Sequence, residues 1–301
     1  MGDDSIKTDK MIKNLKVFGA VLVLSVSSYH VCDKIVGTAD FQYAIEREQN
    51  IDDLKDYVLQ GLCKVDDKYL LSAYDYKHTD KSVLYILDED LERYSIKELD
   101  TYSHVGGITY DPKNEIVWVT DTDGVIVAYD KNEILSYRPL INSNCKRVYV
   151  GTGLENIFGE CSAAYITYHD DKLYVGNFNT KGNTIIKEYE IKDDGMINPF
   201  LYRTFNAAGF IQGITFYEDG DKNYLIVSSS FGKQFDSTLQ IYDFDTLQII
   251  RSIKTNEMME EIIVDDNELI TIYESNAKIY KHHKKGTDII TLDINKILTK
   301  S

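Results

Sequence analysis

The chain lacks any long run of basic residues. Its densest basic stretch is Lys281-His282-His283-Lys284-Lys285, and so short a cluster is typical of a solvated loop. Acidic residues outnumber basic ones by 49 to 33, which gives a formal net charge of −16. Because phosphate contacts supply most of the affinity for nucleic acids, this composition excludes a nucleic-acid partner. The same acidity favours solubility and, more weakly, cationic ligands or metal ions.

The motifs of common zinc and catalytic sites are also absent from the sequence. Cys32, Cys63, Cys145 and Cys161 show no CxxC or Cys/His spacing of a zinc site. In an exported protein Cys145 and Cys161 would pair across a loop, whereas in a reducing compartment they would be small core residues. Residues 228–233 lack the G-x-S-x-G pattern of a nucleophilic serine, and no spacing selects two carboxylates for glycoside hydrolysis.

The N-terminus combines a basic segment with a short apolar run. Lys7, Lys10, Lys13 and Lys16 precede an uncharged run at residues 17–31, which is short for a membrane span of about 20 residues. This pattern predicts that residues 1–32 are a signal peptide or an N-terminal membrane anchor. The protein would then be extracytoplasmic, secreted or anchored at the cell surface, with no other membrane contact. A buried first strand is the structural alternative for the same run.

A short phrase with an apolar third residue recurs five times along the chain. Repeats spaced by about 40–50 residues indicate a propeller or another repeat array. The copies begin at Gln60-Gly61-Leu62, Gly106-Gly107-Ile108, Ala164-Tyr165-Ile166, Gln212-Gly213-Ile214 and Glu260-Glu261-Ile262.

Each phrase is followed by short apolar segments separated by polar turns, which is the pattern of an antiparallel meander. We therefore predict an all-β fold, a single β-propeller of five blades with four strands each. Six blades is the alternative, with a degenerate unit at the N-terminus. Residues 57–301 would form the propeller, and residues 33–56 an extension that supplies either an outer strand or a cap. A short helix at residues 52–59 is a further alternative.

The second copy contains the clearest hairpin signal. Asp121-Thr122-Asp123-Gly124 joins two apolar runs, and Asp-Gly favours a type I′ turn because that turn needs positive φ. Asp121 and Asp123 also resemble part of a calcium loop, but the closing glutamate is absent. The segment at residues 135–159 lengthens this repeat and is rich in Asn and Gly, so it is predicted to be a functional loop.

Candidate binding residues follow from the propeller architecture, in which equivalent positions of the blades meet at the mouth of a central channel. The starts of the phrases and the ends of the following strands supply Gln60, His104, Asp121, Asn177, Gln212, Glu260, Glu261 and Glu274. The same reasoning adds Asp75, His78, Asn179 and Ser230. Such a ring of oxygen-bearing side chains would bind a small polar ligand, a sugar or a hard cation such as Ca²⁺.

Several of these residues also have a structural interpretation. Gln60 and Gln212 would satisfy backbone groups around the channel, and His104 would hydrogen-bond a neighbouring blade. Glu260 and Glu261, if held close together, would raise the pKa of one carboxyl group as in an acid/base pair.

The order of these elements resembles a group of uncharacterised exported bacterial β-propeller proteins. The resemblance covers residues 57–294 and implies no settled activity. A looser likeness, in fold alone, is to gluconolactonase-type and calcium-dependent phosphotriesterase-type propellers, which hold a metal with carboxylate and amide ligands in the channel. The resemblance depends on His104-Val105-Gly106-Gly107-Ile108, Gln212-Gly213-Ile214, residues 228–233, and Met259-Glu260-Glu261 followed by Tyr273-Glu274-Ser275.

We therefore expect an exported or surface-anchored propeller that binds a small polar ligand or a protein partner at one mouth of its channel. The alternative is a metal-assisted hydrolase or lactonase of the propeller type; its cofactor is left unassigned, with Ca²⁺ as the candidate. A structural protein of the cell envelope, without a channel ligand, is a third interpretation. The sequence leaves open whether the chain is an enzyme.

Overall fold

In a computed structural model the chain forms five four-stranded antiparallel sheets, the predicted five-bladed β-propeller. The predicted signal or anchor at residues 1–32 and the basic cluster at 281–285 lie outside the described residues. Among the helices that the structure describes, none is long and apolar enough to span a membrane. The structure describes residues 38–52, 54, 56–140, 145–151, 161–180, 182, 184–200, 202–280 and 286–299.

The first two blades follow a short helix and strand at the start of the described chain. Those first elements are α1 (Thr38–Ala44) and β1 (Ile45–Gln49). Blade 1 consists of β2 (Tyr57–Val65), β3 (Lys68–Asp75), β4 (Val83–Leu87) and β5 (Arg93–Glu98). Blade 2 consists of β6 (Ile108–Asp111), β7 (Ile116–Thr120), β8 (Val125–Asp130), the short helix α2 (Lys131–Leu135) and β9 (Lys146–Tyr149).

The remaining blades repeat the same meander from the channel outward. Blade 3 consists of β10 (Cys161–His169), β11 (Lys172–Phe178), β12 (Thr184–Glu190) and β13 (Arg203–Ala207). Blade 4 consists of β14 (Ile211–Asp219), β15 (Lys222–Ser229), β16 (Thr238–Asp243) and β17 (Gln248–Lys254). Blade 5 consists of β18 (Met259–Asp265), β19 (Glu268–Tyr273) and β20 (Ile289–Asp293), which precedes the short helix α3 (Ile294–Leu298).

The hydrophobic core is divided among the interfaces between neighbouring blades. The innermost strands β2, β6, β10, β14 and β18 contact one another in a closed ring. Each interface buries its own cluster, so Trp118 of blade 2 packs with Tyr189 of blade 3 and Tyr174 of blade 3 with Tyr242 of blade 4. Central strands are covered on both faces, which explains why they read as continuous apolar runs rather than as alternating patterns.

The ring is closed by a strand from the beginning of the chain. β1 pairs antiparallel with β20, with Ile45 opposite Leu292 and Gln49 opposite Ile289. The extension therefore supplies the outer strand of blade 5, one of the two possibilities predicted for it. The alternative of a helix across residues 52–59 is wrong, because residues 57–59 belong to β2 and pair with β3. Closure of this kind leaves no exposed inner edge for unwanted strand pairing.

The structure tests two predictions for blade 2, the tight turn and the functional loop. Val125 donates its backbone N–H to the carbonyl of Thr122, with Asp123 at φ 57° and Gly124 at φ 75°, which confirms the type I′ turn. The segment at residues 135–159 is not wholly a loop, since Lys146–Tyr149 forms the outer strand β9. Residues 141–144 and 152–160 of that segment lie outside the described chain.

We expect Phe41→Ala to destabilise the propeller, because helix α1 anchors the closing strand. The Phe41 side chain is 1% exposed in the cluster between blades 4 and 5, and truncating such a ring costs about 3–5 kcal/mol. Urea unfolding followed by fluorescence of the single tryptophan, Trp118, would measure the loss. Tyr43→Ala is the matched control, since Tyr43 is 65% exposed on the same helix and should cost less than about 1 kcal/mol. Equal losses in the two variants would contradict this role for α1.

Candidate functional site

The first residue of every repeated phrase lines one cavity at the mouth of the channel. In four blades this residue lies where the register of the innermost strand shifts. A bulge of this kind re-aims a side chain away from the regular alternation of the strand. The cavity has a volume of about 650 Å³. The five phrase-initial residues are Gln60, Gly106, Ala164, Gln212 and Glu260.

Two carboxyl groups from blade 5 form the acidic wall of this cavity. Glu260 is only 5% exposed and accepts a hydrogen bond from Gln212 Nε2 at 3.3 Å. Glu274 is half-buried and accepts from the Tyr280 hydroxyl at 3.1 Å. The backbone joins the two residues, because Glu274 N donates to the carbonyl of Met258, two residues before Glu260. Within the part of the chain that the structure describes, neither carboxyl forms an ion pair with a lysine or arginine.

Burial makes both carboxyl groups hold their protons more tightly than usual. Desolvation raises the pKa of Glu274 to about 7. Desolvation also raises the pKa of Glu260 well above its ordinary value, and the charges of Glu274 and Glu261 raise it further. Burial therefore favours the protonated form of both groups, and Glu274 is poised between its two protonation states near neutral pH.

Aromatic rings also line the cavity. The rings of Tyr74 and His104 lie 4.2 Å apart between centroids, and His78 packs beside both of them at 5.5 and 5.6 Å. Burial, followed by the neighbouring His78, lowers the pKa of His104, so its imidazole is neutral at pH 7. Burial and the charge of Glu274 raise the pKa of the Tyr74 hydroxyl to about 12. The cavity thus presents uncharged rings to a ligand.

Asp121 lies at the rim and already has a cationic partner. Arg147 forms an ion pair with it, and Thr101 Oγ1 donates to Asp121 Oδ1 at 2.6 Å. Burial alone would raise the pKa of Asp121, but the hydrogen bonds from Thr101, Thr122 and Arg147 outweigh burial and lower it. Asp121 is therefore a carboxylate whose charge is neutralised within the protein.

Six of the eight candidates line the cavity, and two do not. The side chain of Glu261 turns away and lies against Gly213, where a Cβ atom would come within 1.9 Å of Glu261 Oε1. It accepts from its neighbour Ile262 N at 3.1 Å and bridges blades 4 and 5. Asn177 accepts from Ile185 N at 3.2 Å and so holds a hairpin of blade 3. The six cavity-lining candidates are Gln60, His104, Asp121, Gln212, Glu260 and Glu274.

The additional candidates have other places in the structure. Asp75 caps a turn by accepting from the backbone N–H groups of Thr79 and Asp80, at 2.8 and 3.0 Å. Asn179 accepts from Phe210 N through its backbone carbonyl, and Ser230 lines a second cavity that adjoins blade 4.

Sequence reasoning missed Tyr74, Val105 and Phe178 among the cavity-lining residues. Tyr74 directly precedes Asp75, and Phe178 follows Asn177. In both cases the sequence pointed to a residue one position away from the one that lines the cavity. Val105 adopts φ 48°, an outlier for a β-branched residue that only surrounding structure can hold. Within the described residues, no group of three or more His, Cys, Asp or Glu side chains is arranged to hold a metal ion.

Comparison with solved structures identifies similar folds. The glutaminyl cyclase of Myxococcus xanthus superposes with a TM-score of 0.51 and 12% identity, covering 83% of this chain and 95% of that chain. Nidogen, from a nidogen/laminin complex, gives a TM-score of 0.47 at 15% identity, covering 81% of this chain and 78% of that one. The first likeness is one of fold alone. It supports the β-propeller architecture.

Comparisons of sequence do not identify a family for this chain. No protein-family model matches the chain, and no curated protein matches it either. The resemblance to exported bacterial propellers at the level of the repeated phrases therefore stays a prediction.

We expect Glu274→Gln to raise the free energy of unfolding, relative to the unchanged protein, by more at pH 8 than at pH 5. The folded state raises the pKa of Glu274 from 4.5 to about 7, so its stabilising contribution is complete at low pH and is lost as pH rises through 7. The amide cannot ionise, so its advantage at pH 8 should be on the order of 1–3 kcal/mol larger than at pH 5. Urea unfolding at both pH values would measure this difference.

Glu89→Gln provides the matched control for that experiment. Glu89 is an exposed acid outside the cavity, and its replacement removes the same formal charge. Its effect on the free energy of unfolding should be small and independent of pH. An equal effect of Glu274→Gln at pH 5 and pH 8 would mean that Glu274 titrates normally.

Proposed function

We propose that this propeller binds a small polar ligand carrying a protonated amine in the cavity at the channel mouth. One observation carries the proposal. The phrase-initial residues of all five blades line one cavity, and neither the buried Glu260 nor the half-buried Glu274 forms an ion pair with a lysine or arginine that the structure describes. A cavity of about 650 Å³ is within the range of about 300–1,000 Å³ that small-molecule sites occupy.

A cationic ligand would supply the positively charged partner that Glu260 and Glu274 lack among the described residues. Burying an ionised carboxylate without a partner is costly, and the group responds by keeping its proton. An ammonium group between Glu260 and Glu274 would favour the carboxylate form, so binding would displace protons from the site. Because Glu260 is buried, Coulomb attraction to the cation would be stronger there than in bulk water.

The other walls supply orientation and selectivity. The amide groups of Gln60 and Gln212 can accept or donate hydrogen bonds at the same level of the cavity. Tyr74 and His104 add aromatic surface to the same cavity. A net charge of −16 favours the approach of cations and disfavours anionic ligands.

The arrangement favours binding over the metal-assisted hydrolase or lactonase. That alternative predicts that Glu260 or Glu261 clusters with Gln212, Asn177 and His104. Gln212 does meet Glu260, but Glu261 and Asn177 serve backbone groups away from the cavity. We place the binding protein outside the cytoplasm, secreted or held at the cell surface, on the strength of the charged and apolar pattern at residues 1–32.

Titration calorimetry with ethylamine tests this function on the full chain. A ligand of three non-hydrogen atoms gains at most about 1.5 kcal/mol per atom, so we expect a dissociation constant of about 1 mM or weaker. At pH 6.5, titrations in two buffers of different ionisation enthalpy should show protons released on binding. Ethanol, the neutral analogue, should not bind.

The variant Glu260→Gln identifies the site. Since burial favours the protonated form of Glu260, the amide should preserve the fold while it removes the carboxylate that the cation needs. We expect loss of ethylamine binding in Glu260→Gln and unchanged binding in Glu89→Gln. Unchanged affinity in Glu260→Gln, or binding without proton release, would overturn the proposal.

A further inference from the structure

A second cavity of about 550 Å³ lies on blade 4, beside the acidic one. Its apolar wall consists of Phe210, Phe231 and Phe235, which we call the phenylalanine pocket. Phe231 is 51% exposed, although leaving a ring of this size in water costs free energy. The pocket includes much of the sequence segment at 228–233, which the proposed function leaves without a role.

The two cavities adjoin through a chain of aromatic rings. Phe178 lines the acidic cavity, and its ring lies 6.4 Å from that of Phe210 in an edge-on arrangement. Phe210 in turn lies 4.8 Å from Phe231, and Phe231 lies 6.0 Å from Phe235. The linings of the two cavities therefore contact each other through the rings of Phe178 and Phe210.

Polar atoms in the lining of the pocket also lack partners. Ser230 is 3% exposed, and its hydroxyl oxygen makes no hydrogen bond with any residue that the structure describes. The hydroxyl of its neighbour Ser229 likewise makes no hydrogen bond with any residue that the structure describes. Buried hydroxyl groups normally find a hydrogen-bond partner, so these two distinguish the surroundings of the pocket from an ordinary part of the core.

The backbone of the pocket is held in an unusual conformation. Phe210 adopts φ 62°, which is costly for a bulky residue. Two backbone hydrogen bonds of 2.9 Å fix it there, from Phe210 N to the carbonyl of Asn179 and from Ser230 N to the carbonyl of Phe210. The ring is thus presented between the two cavities rather than free to turn into the core.

We propose that the phenylalanine pocket binds the aromatic end of the same ligand whose ammonium group occupies the acidic cavity. This inference rests on the proposed function and narrows its ligand to the class of arylalkylamines. An aromatic ring in the pocket would make offset and edge-on contacts with Phe210 and Phe231. The contact between Phe178 of the acidic cavity and Phe210 of the pocket, rather than apolar surface alone, favours a bipartite small molecule as the occupant.

The test compares two series of amines on the full chain. The first contains ω-phenylalkylamines with linkers of two to six carbons, and the second contains amino alcohols with a hydroxyl in place of the phenyl group. At the best linker length we expect the phenyl compound to bind at least about tenfold more tightly, as burial of a ring predicts. Phe231→Ala should abolish most of that gain without changing the affinity for ethylamine. Phe200→Ala is the matched control, because Phe200 is 91% exposed on blade 3.

The possible results separate the two proposals. Equal affinity of the two series would overturn the aromatic subsite and leave the amine site intact. Failure of every amine, including ethylamine, would overturn both. A gain from the phenyl group that survives in Phe231→Ala would place the ring elsewhere and so overturn the inference. Binding of neutral phenylalkanols as tightly as the amines would also overturn it, since the ligand would not then need the acidic cavity.

Discussion

Pairing of the first described strand with the last is the constraint on which the rest of the structure depends. β1 completes blade 5 against β20, and Ile51 N donates to Asp288 Oδ2 at 2.8 Å just beyond that strand. Helix α1 locks this end in place, because Asp40 forms an ion pair with Arg251 of blade 4 at 2.5 Å. Only a closed ring brings the equivalent positions of five blades to one mouth, so the cavity exists as a consequence of closure.

The site then follows from a local irregularity repeated around that ring. A shifted register at the start of the innermost strands turns the first residue of the phrase toward the axis. Small residues at two of these positions, Gly106 and Ala164, leave space, whereas Gln60, Gln212 and Glu260 supply polar groups. The ring is asymmetric, because Glu260 and Glu274 are on blade 5, the ion-paired Asp121 is on blade 2, and the aromatic rings are on blades 1, 3 and 4. A ligand with a charged end and an apolar end fits such a surface.

Much of this was predictable from the sequence, because a period of about 40–50 residues fixes the blade and the Asp123-Gly124 turn fixes a hairpin. The pairing of β1 with β20 was left open, since it joins residues from opposite ends of the chain. Glu260 could not be told from Glu261, because a one-residue bulge decides which carboxyl faces the cavity. Tyr74 and Phe231 read as ordinary strand and loop aromatics, and only the fold shows that they line cavities.

The central claim is that the carboxyl groups of Glu260 and Glu274 at the channel mouth bind a cationic ligand. Carbon-13 NMR titration of the glutamate side chains, with assignments from Glu260→Gln and Glu274→Gln, tests it most directly. The account predicts that Glu274 titrates near pH 7 and Glu260 well above its ordinary range, and that a bound alkylammonium ion lowers both values. Titration of both groups near 4.5, unchanged by the amine, would contradict it, because the carboxyl groups would then be solvated or already paired.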